Sequence, residues 1–116
     1  EGPISISKTS ECFIENGMVI SNEPGYYENG KYGIRIENLE VVSKKNFKKA
    51  KESFLCFTSL TRVPLELKLI NKQMLSKFEV DWVNEYHQKV FKDLLKFIET
   101  DNQELLNFLK RKTTLI

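Results

Sequence analysis

Asn22-Glu23-Pro24-Gly25-Tyr26-Tyr27-Glu28-Asn29-Gly30-Lys31-Tyr32-Gly33-Ile34-Arg35-Ile36-Glu37-Asn38 is the stretch whose reading decides how the first half of this chain folds. Asn29-Gly30 between two extended segments is the strongest short-range signal for a β-hairpin. Glu23 and Glu37 stand fourteen residues apart across that turn. The separation is even, so in a regular hairpin both carboxylates share a face. A three-residue loop over 29–31 pairs Glu28 with Tyr32 and sets Glu23 opposite Glu37. A two-residue loop puts the two acids out of register. Like charges directly across a strand pair repel, so the first arrangement calls for a cation between them. The plainer alternative is a ribbon with solvated acids on one face. Met18-Val19-Ile20 before Glu23, and Ile34, Ile36, Leu39, Val41 and Val42 around Glu37, favour strands buried on both faces. Buried acids need a partner or a metal. Arg35 shares a face with Glu37 and is expected to neutralise one charge but not both.

Outward from the hairpin, the chain reads as strands and turns up to about residue 70. Ile4–Ser7, Met18–Glu23, Tyr32–Val42, Phe54–Thr61 and Leu65–Ile70 are the expected strands. Asn16-Gly17 marks another turn, and 46–52 a loop. From residue 71 the pattern turns helical. Ser76-Lys77-Phe78-Glu79 is a capping box. Val83, Tyr86, Val90, Leu94 and Phe97 recur at helical spacing, with Trp82, Phe91, Leu95 and Ile98 widening the stripe. A helix from Lys77 to near Glu99 follows. Asp101-Asn102-Gln103-Glu104 repeats the capping pattern, with aspartate as the cap of a shorter second helix. His87, the only histidine, reads as structural.

Composition excludes several classes. With 116 residues the chain is one domain or a piece of one, and its 41% apolar content suffices for a core. A net charge of +2 is too small to imply a nucleic-acid partner. Lys44, Lys45, Lys48, Lys49 and Lys51 read as a solvated loop. There is no apolar run of about 18 residues, so no membrane helix is expected. Cys12 and Cys56, each with apolar neighbours, read as buried free thiols. No Ser-His-Asp set, Cys-His set, glycine-rich phosphate loop or internal repeat is present.

The motifs Glu23-Pro24-Gly25-Tyr26-Tyr27 and Gly33-Ile34-Arg35-Ile36-Glu37-Asn38 resemble the carboxy-terminal half of the pita-bread metallopeptidases, and more narrowly aminopeptidase P, the Xaa-Pro aminopeptidases. Glu1-Gly2-Pro3 resembles the tail of that family's His-Glu-Gly-Pro motif. Residues 57–65 resemble its last catalytic-domain strands. Asp81-Trp82-Val83-Asn84-Glu85-Tyr86-His87 resembles the helical extension of its larger, cytosolic-type members. The resemblance implies an α+β fold, with an antiparallel or mixed sheet in residues 1–70 as the second half of a catalytic domain and a helical extension over 71–116. It implies that Glu23 and Glu37 are two of five ligands of a dinuclear, usually manganese (Mn²⁺), site. It further implies that Glu23 is the proton shuttle, that Arg35 orients the ligand shell, and that Tyr27 lies near the site on the substrate side. Carboxylate ligation suits a hard ion, and arginine suits a position behind it because its planar fork grips carboxylates.

The implied activity is removal of the first residue from peptides with proline in second position, in a cytoplasmic homodimer. The family's two aspartate ligands and its histidine ligand fall upstream of Glu1. The chain is therefore expected to work with a missing amino-terminal half and to be inactive alone. A Xaa-Pro dipeptidase or methionine aminopeptidase of the same fold is the nearer rival, and the extension after residue 71 argues against both. A non-catalytic binding module is the rival from another class. Retention of Glu23, Glu37 and Arg35 together argues against it. The wide stripe on the first helix is expected to pack on the sheet and to contribute to the dimer contact.

Overall fold

The computed structural model describes residues 12–48, 51–99 and 101–116. The expected strand Ile4–Ser7 and the Glu1-Gly2-Pro3 match lie outside them. The chain divides into two compact units, Glu1–Thr61 and Arg62–Ile116.

Among its described residues, unit 1 has five strands: β1 (Val19–Asn22), β2 (Gly25–Glu28), β3 (Tyr32–Arg35), β4 (Asn38–Lys45) and β5 (Phe54–Ser59). They form a three-stranded sheet in the order β1-β4-β5 and a two-stranded sheet β2-β3, antiparallel throughout. The two sheets are segments of one ribbon. Val19 pairs with Val41 and Asn22 with Asn38; Gly25 pairs with Arg35 and Glu28 with Tyr32, all in a single register. The ladder lapses only at 23–24 and 36–37. Pro24 explains the lapse, because it has no N–H to give. Its carbonyl still accepts from Ile36 N–H at 3.2 Å, which carries the register across the break. The loop is the three-residue one: Lys31 N–H returns to Glu28 O at 3.0 Å, with Gly30 in the left-handed region at φ 71°. Gly17 takes the same region at φ 91° in the other turn.

Burial within the strands is confined to β4, and there to one face. Along β4, Asn38, Glu40 and Val42 are buried, while Leu39 and Lys44 are exposed. The apolar residues that suggested a double-sided strand, Ile34, Ile36 and Leu39, are at least two-fifths exposed within this chain. Cys12 is exposed and Cys56 half-buried, and neither is in a disulfide, which corrects the expectation of two buried thiols. Lys44, Lys45, Lys48 and Lys51 are exposed as expected, but Lys44 and Lys45 end β4 instead of lying in a loop, and Lys49 lies outside the described residues.

Unit 2 holds two helices, α1 (Lys77–Leu95) and α2 (Gln103–Lys112). Ser76 caps α1 in a complete capping box: its hydroxyl accepts from Glu79 N–H at 3.3 Å, and Glu79 accepts from Ser76 N–H at 2.8 Å. The helix stops at Leu95, short of the expected Glu99. Phe97 N–H and Ile98 N–H bond three residues back, to Leu94 and Leu95, which tightens the last turn and ends it. The second cap is Asn102, not Asp101. Asn102 Oδ1 accepts from Leu105 N–H at 3.0 Å. Both residue types cap well, and a one-residue shift separates them.

Leu65–Ile70 is not a strand. It contains a 3-10 turn over Leu67–Leu69, capped by the Glu66 side chain accepting from Lys68 N–H at 3.3 Å. Leu65 N–H is donated to His87 Nε2 at 3.1 Å. Donors that a ladder would use are committed locally and to α1, so the apolar alternation has no strand to pair with. A second 3-10 turn spans Lys72–Met74.

The core of unit 2 gathers Val83, Tyr86 and Val90 of α1 with Leu109 of α2. His87 is wholly buried. Because Leu65 N–H must donate to Nε2, Nδ1 carries the proton and donates to Thr114 O at 3.1 Å. Tyr86 donates to Val63 O at 2.8 Å. Asn84 both donates to Ile116 O and accepts from Ile116 N–H, at 3.2 and 2.8 Å. One helix thus pins the stretch before it and the stretch after α2. Trp82 stacks on Tyr86 with centroids 5.5 Å apart.

Candidate metal centre

The ribbon positions the acid pair. Asn22 pairs with Asn38 and Gly25 with Arg35, so Glu23 falls opposite Glu37. In antiparallel ladders directly opposed residues alternate between bonded and non-bonded pairs, and side chains approach more closely in the latter. The bond between residues 24 and 36 makes the 23/37 position the closer type. Ser21, Glu23, Gly25 and Tyr27 lie on one face of the ribbon, with Gly33, Arg35, Glu37 and Leu39 opposite them.

Arg35 lies between the acids. Its Nη1 is 3.3 Å from Glu23 Oε2 and its Nη2 is 3.1 Å from Glu37 Oε2. One guanidinium therefore reaches both carboxylates, while its single charge neutralises only one of them, as expected. The planar fork has two terminal nitrogens and gives one to each acid. Glu37 chiefly, then the Tyr27 hydroxyl, then Glu23, raise the Arg35 pKa above its ordinary value. The second oxygen of Glu23, Oε1, accepts from Ser21 Oγ at 2.6 Å.

Two carboxylates and one guanidinium leave a net negative charge on this face. The side chains of Glu23 and Glu37 are 41% and 43% exposed, so the pair is open rather than sealed in a core. The donor chemistry fits a hard divalent cation, which prefers carboxylate oxygen. The set is incomplete within this chain. Among the described residues no group of three or more His, Cys, Asp or Glu is assembled to hold a metal ion. Glu23 and Glu37 would hold such an ion only alongside ligands from outside the described residues.

The face therefore brings together Glu23, Arg35, Glu37 and Tyr27, all singled out from the sequence. Sequence reasoning missed Ser21, Gly25 and Gly33. Ser21 lies two residues before Glu23, on the same face by strand alternation, and that spacing was a usable signal. The two glycines carried no local signal, because neither sits at a turn or has positive φ. His87, read as structural, is in the core of unit 2 and holds backbone groups on both sides.

Comparison with known proteins agrees with this reading of the fold. A family model described as the C-terminal region of peptidase M24 matches residues 53–116, and one described as metallopeptidase family M24 matches residues 1–44. The chain is thus a metallopeptidase-family chain. It belongs to metallopeptidase family M24, and more than half of it matches that family's C-terminal region. It is 40% identical over 116 residues to Xaa-Pro aminopeptidase 1 of Dictyostelium discoideum, covering 97% of this chain and 18% of that protein. It is 42% identical over 121 residues to a probable Xaa-Pro aminopeptidase P of Coprinopsis cinerea, covering 98% and 19%. It also matches the crystal structure of X-prolyl aminopeptidase from Caenorhabditis elegans, described as a cytosolic enzyme with a di-nuclear active site. That match has a TM-score of 0.84 and 34% identity, over 100% of this chain and 19% of that one. The chain spans about a fifth of the length of the proteins it matches. No helix among the described residues is long and apolar enough to cross a membrane.

Proposed function

We propose that this chain is the carboxy-terminal part of a dinuclear-metal Xaa-Pro aminopeptidase, which removes the first residue from peptides with proline in second position. The observation that carries the reading is the Glu23–Arg35–Glu37 arrangement, with the two acids opposed across a ribbon and Arg35 between them, in a chain of this family. Residues 1–70 form the second half of the catalytic domain and 71–116 its helical extension.

Glu23 and Glu37 would hold the metal pair together with ligands from outside the described residues, with manganese the expected ion. A bound pair would supply Lewis acidity toward the scissile carbonyl and make a water acidic enough to attack at neutral pH. Glu23 accepts the proton of the attacking water and returns it to the proline nitrogen as the C–N bond breaks. Arg35 holds both carboxylates at fixed spacing. Tyr27, with its ring exposed beside Arg35, contacts the peptide. The extension contributes to a homodimer contact, and the enzyme acts in the cytoplasm.

The test uses the intact protein that carries this chain. It is freed of metal, reloaded with Mn²⁺ and assayed on a peptide with proline in second position. Glu37→Ala should lower both bound metal and turnover by about a hundredfold or more, since an anionic ligand is lost outright. Full metal occupancy and turnover in that variant would remove Glu37 from the site. A native protein that binds the peptide without cleaving it, with or without Mn²⁺, would favour the binding-module reading.

A further inference from the structure

The four glycines among the described residues do two different jobs. Gly17 and Gly30 have positive φ and serve turns. Gly25 and Gly33 do not, so their backbones would accept any residue. What excludes a side chain there is Tyr27. A methyl group on Gly33 would lie 2.6 Å from Tyr27 Cδ1 and 3.0 Å from Cε1. A methyl group on Gly25 would lie 2.6 Å from the Tyr27 hydroxyl and 2.8 Å from Cε2 and Cζ. Both distances fall well inside carbon van der Waals contact, which is about 3.5 Å or more.

The register explains the contact. Gly33 is the direct cross-strand partner of Tyr27, and Gly25 precedes Tyr27 by two residues on the same face. The ring has fallen over flat across both glycines, along the ribbon and toward the acid pair. Its hydroxyl ends over Gly25, whose cross-strand partner is Arg35. Tyr26, on the opposite face, makes no such approach; its ring meets Tyr32 at 6.0 Å.

We propose that Gly25 and Gly33 are positioning residues for the metal centre: their bare Cα atoms form the floor on which the Tyr27 ring lies, so that its hydroxyl reaches Arg35 and sets the fork that holds Glu23 and Glu37. The inference rests on the reading of Glu23 and Glu37 as metal ligands. It assigns to two strand glycines an effect on metal affinity, exerted through a tyrosine that neither of them adjoins in sequence. A ring covering a cross-strand glycine also stabilises a sheet by itself, so affinity and stability must be read separately.

The experiment is a double-mutant cycle in the intact protein, read by Mn²⁺ titration of the metal-free form and by its thermal unfolding. Gly33→Ala is combined with Tyr27→Ala, and Glu37→Ala serves as reference. Gly33→Ala alone should weaken Mn²⁺ binding roughly tenfold, in line with losses of outer partners of metal ligands, and the metal-free melting temperature should fall modestly as the ring contact is lost. In the Tyr27→Ala background, where no ring remains to be lifted, Gly33→Ala should change affinity by less than about twofold. The same loss in both backgrounds would overturn the proposal and leave Gly33 with a purely structural role. An unchanged affinity on Gly33→Ala, with Glu37→Ala strongly impaired, would overturn it while leaving the metal-site reading standing. Unimpaired binding by Glu37→Ala would bring down the site reading and this inference together. If Gly33→Ala does not fold, Gly25→Ala runs the same cycle, since its methyl meets only the hydroxyl end of the ring.

Discussion

At Glu23 and Glu37, two carboxylates and a guanidinium sit about half exposed and are held by one another. At His87, a ring with no exposed surface is held between Leu65 N–H and Thr114 O. Each region anchors polar groups, the ribbon with partners on two neighbouring strands and His87 with partners more than twenty residues away. They differ in what remains. The His87 ring has both nitrogens committed, so it can serve only the fold. The ribbon face keeps a net negative charge and an open surface, so it is able to take up a cation and pay the repulsion back. A polar residue in a core is thus weak evidence of function where its hydrogen bonds are closed, and stronger where charge is left over.

The sharpest way to break that comparison is to open the closed region. His87→Ala leaves a cavity and strands a backbone donor and an acceptor. It should cost about 3 kcal/mol, measured by urea unfolding of the chain. A loss below about 1 kcal/mol would mean that the ring is no more than a filler. The next effect concerns the open region. Arg35→Lys keeps the charge but not the fork, and an ammonium cannot serve both acids in the same geometry. Mn²⁺ affinity of the intact protein should fall roughly tenfold. Unchanged affinity would show that charge alone suffices there. Ser76→Ala removes the cap of α1 and should destabilise the chain by about 1 kcal/mol, again by unfolding, with Mn²⁺ affinity untouched. A change in affinity would show that the two regions are coupled.

The smallest expected effect is on acid stability. Hydrogen bonds from Ser76 lower the Glu79 pKa, the Lys112 hydrogen bond lowers that of Glu66, and the Arg62 hydrogen bond lowers that of Asp93. A carboxyl with a lowered folded pKa stabilises the fold above its unfolded value and loses that contribution as the pH falls through the folded one. Stability should therefore be level above the ordinary values, 4.5 for the two glutamates and 3.8 for the aspartate, and should decline below them. All three groups are solvent-accessible, so the decline is shallow. Unfolding midpoints followed from pH 6 down to about 2.5 would check it, and a rise in stability over that range would contradict the sign.

Much of this was legible in residue order because it depends on near neighbours. Asn29-Gly30 announces the turn, and the three-residue loop then carries the register through Glu28 and Tyr32 to Glu23 and Glu37. Ser76 and Glu79 announce the start of α1. Spacing alone could not choose between two loop lengths, and it misjudged Leu65–Ile70, whose alternation looked like a strand. That segment is decided by His87, 22 positions away from Leu65. The end of α1 and the exact cap of α2 were missed by a few residues or one, where several local solutions have similar energy.

By itself, then, the order of residues determined the turns, the strand and helix types near them, and the family motifs around the two acids. Each of these follows from backbone preference and from the periods of strand and helix. Only the tertiary structure decided that Arg35 divides its fork between both acids, that burial in the strands is confined to one face of β4 in this chain, and that Gly25 and Gly33 are bare to make room for a ring. Those depend on where side chains of different strands meet in space. A guanidinium's reach and a ring's tilt are chosen by packing and electrostatics across the ribbon, and neither leaves a mark on the local sequence.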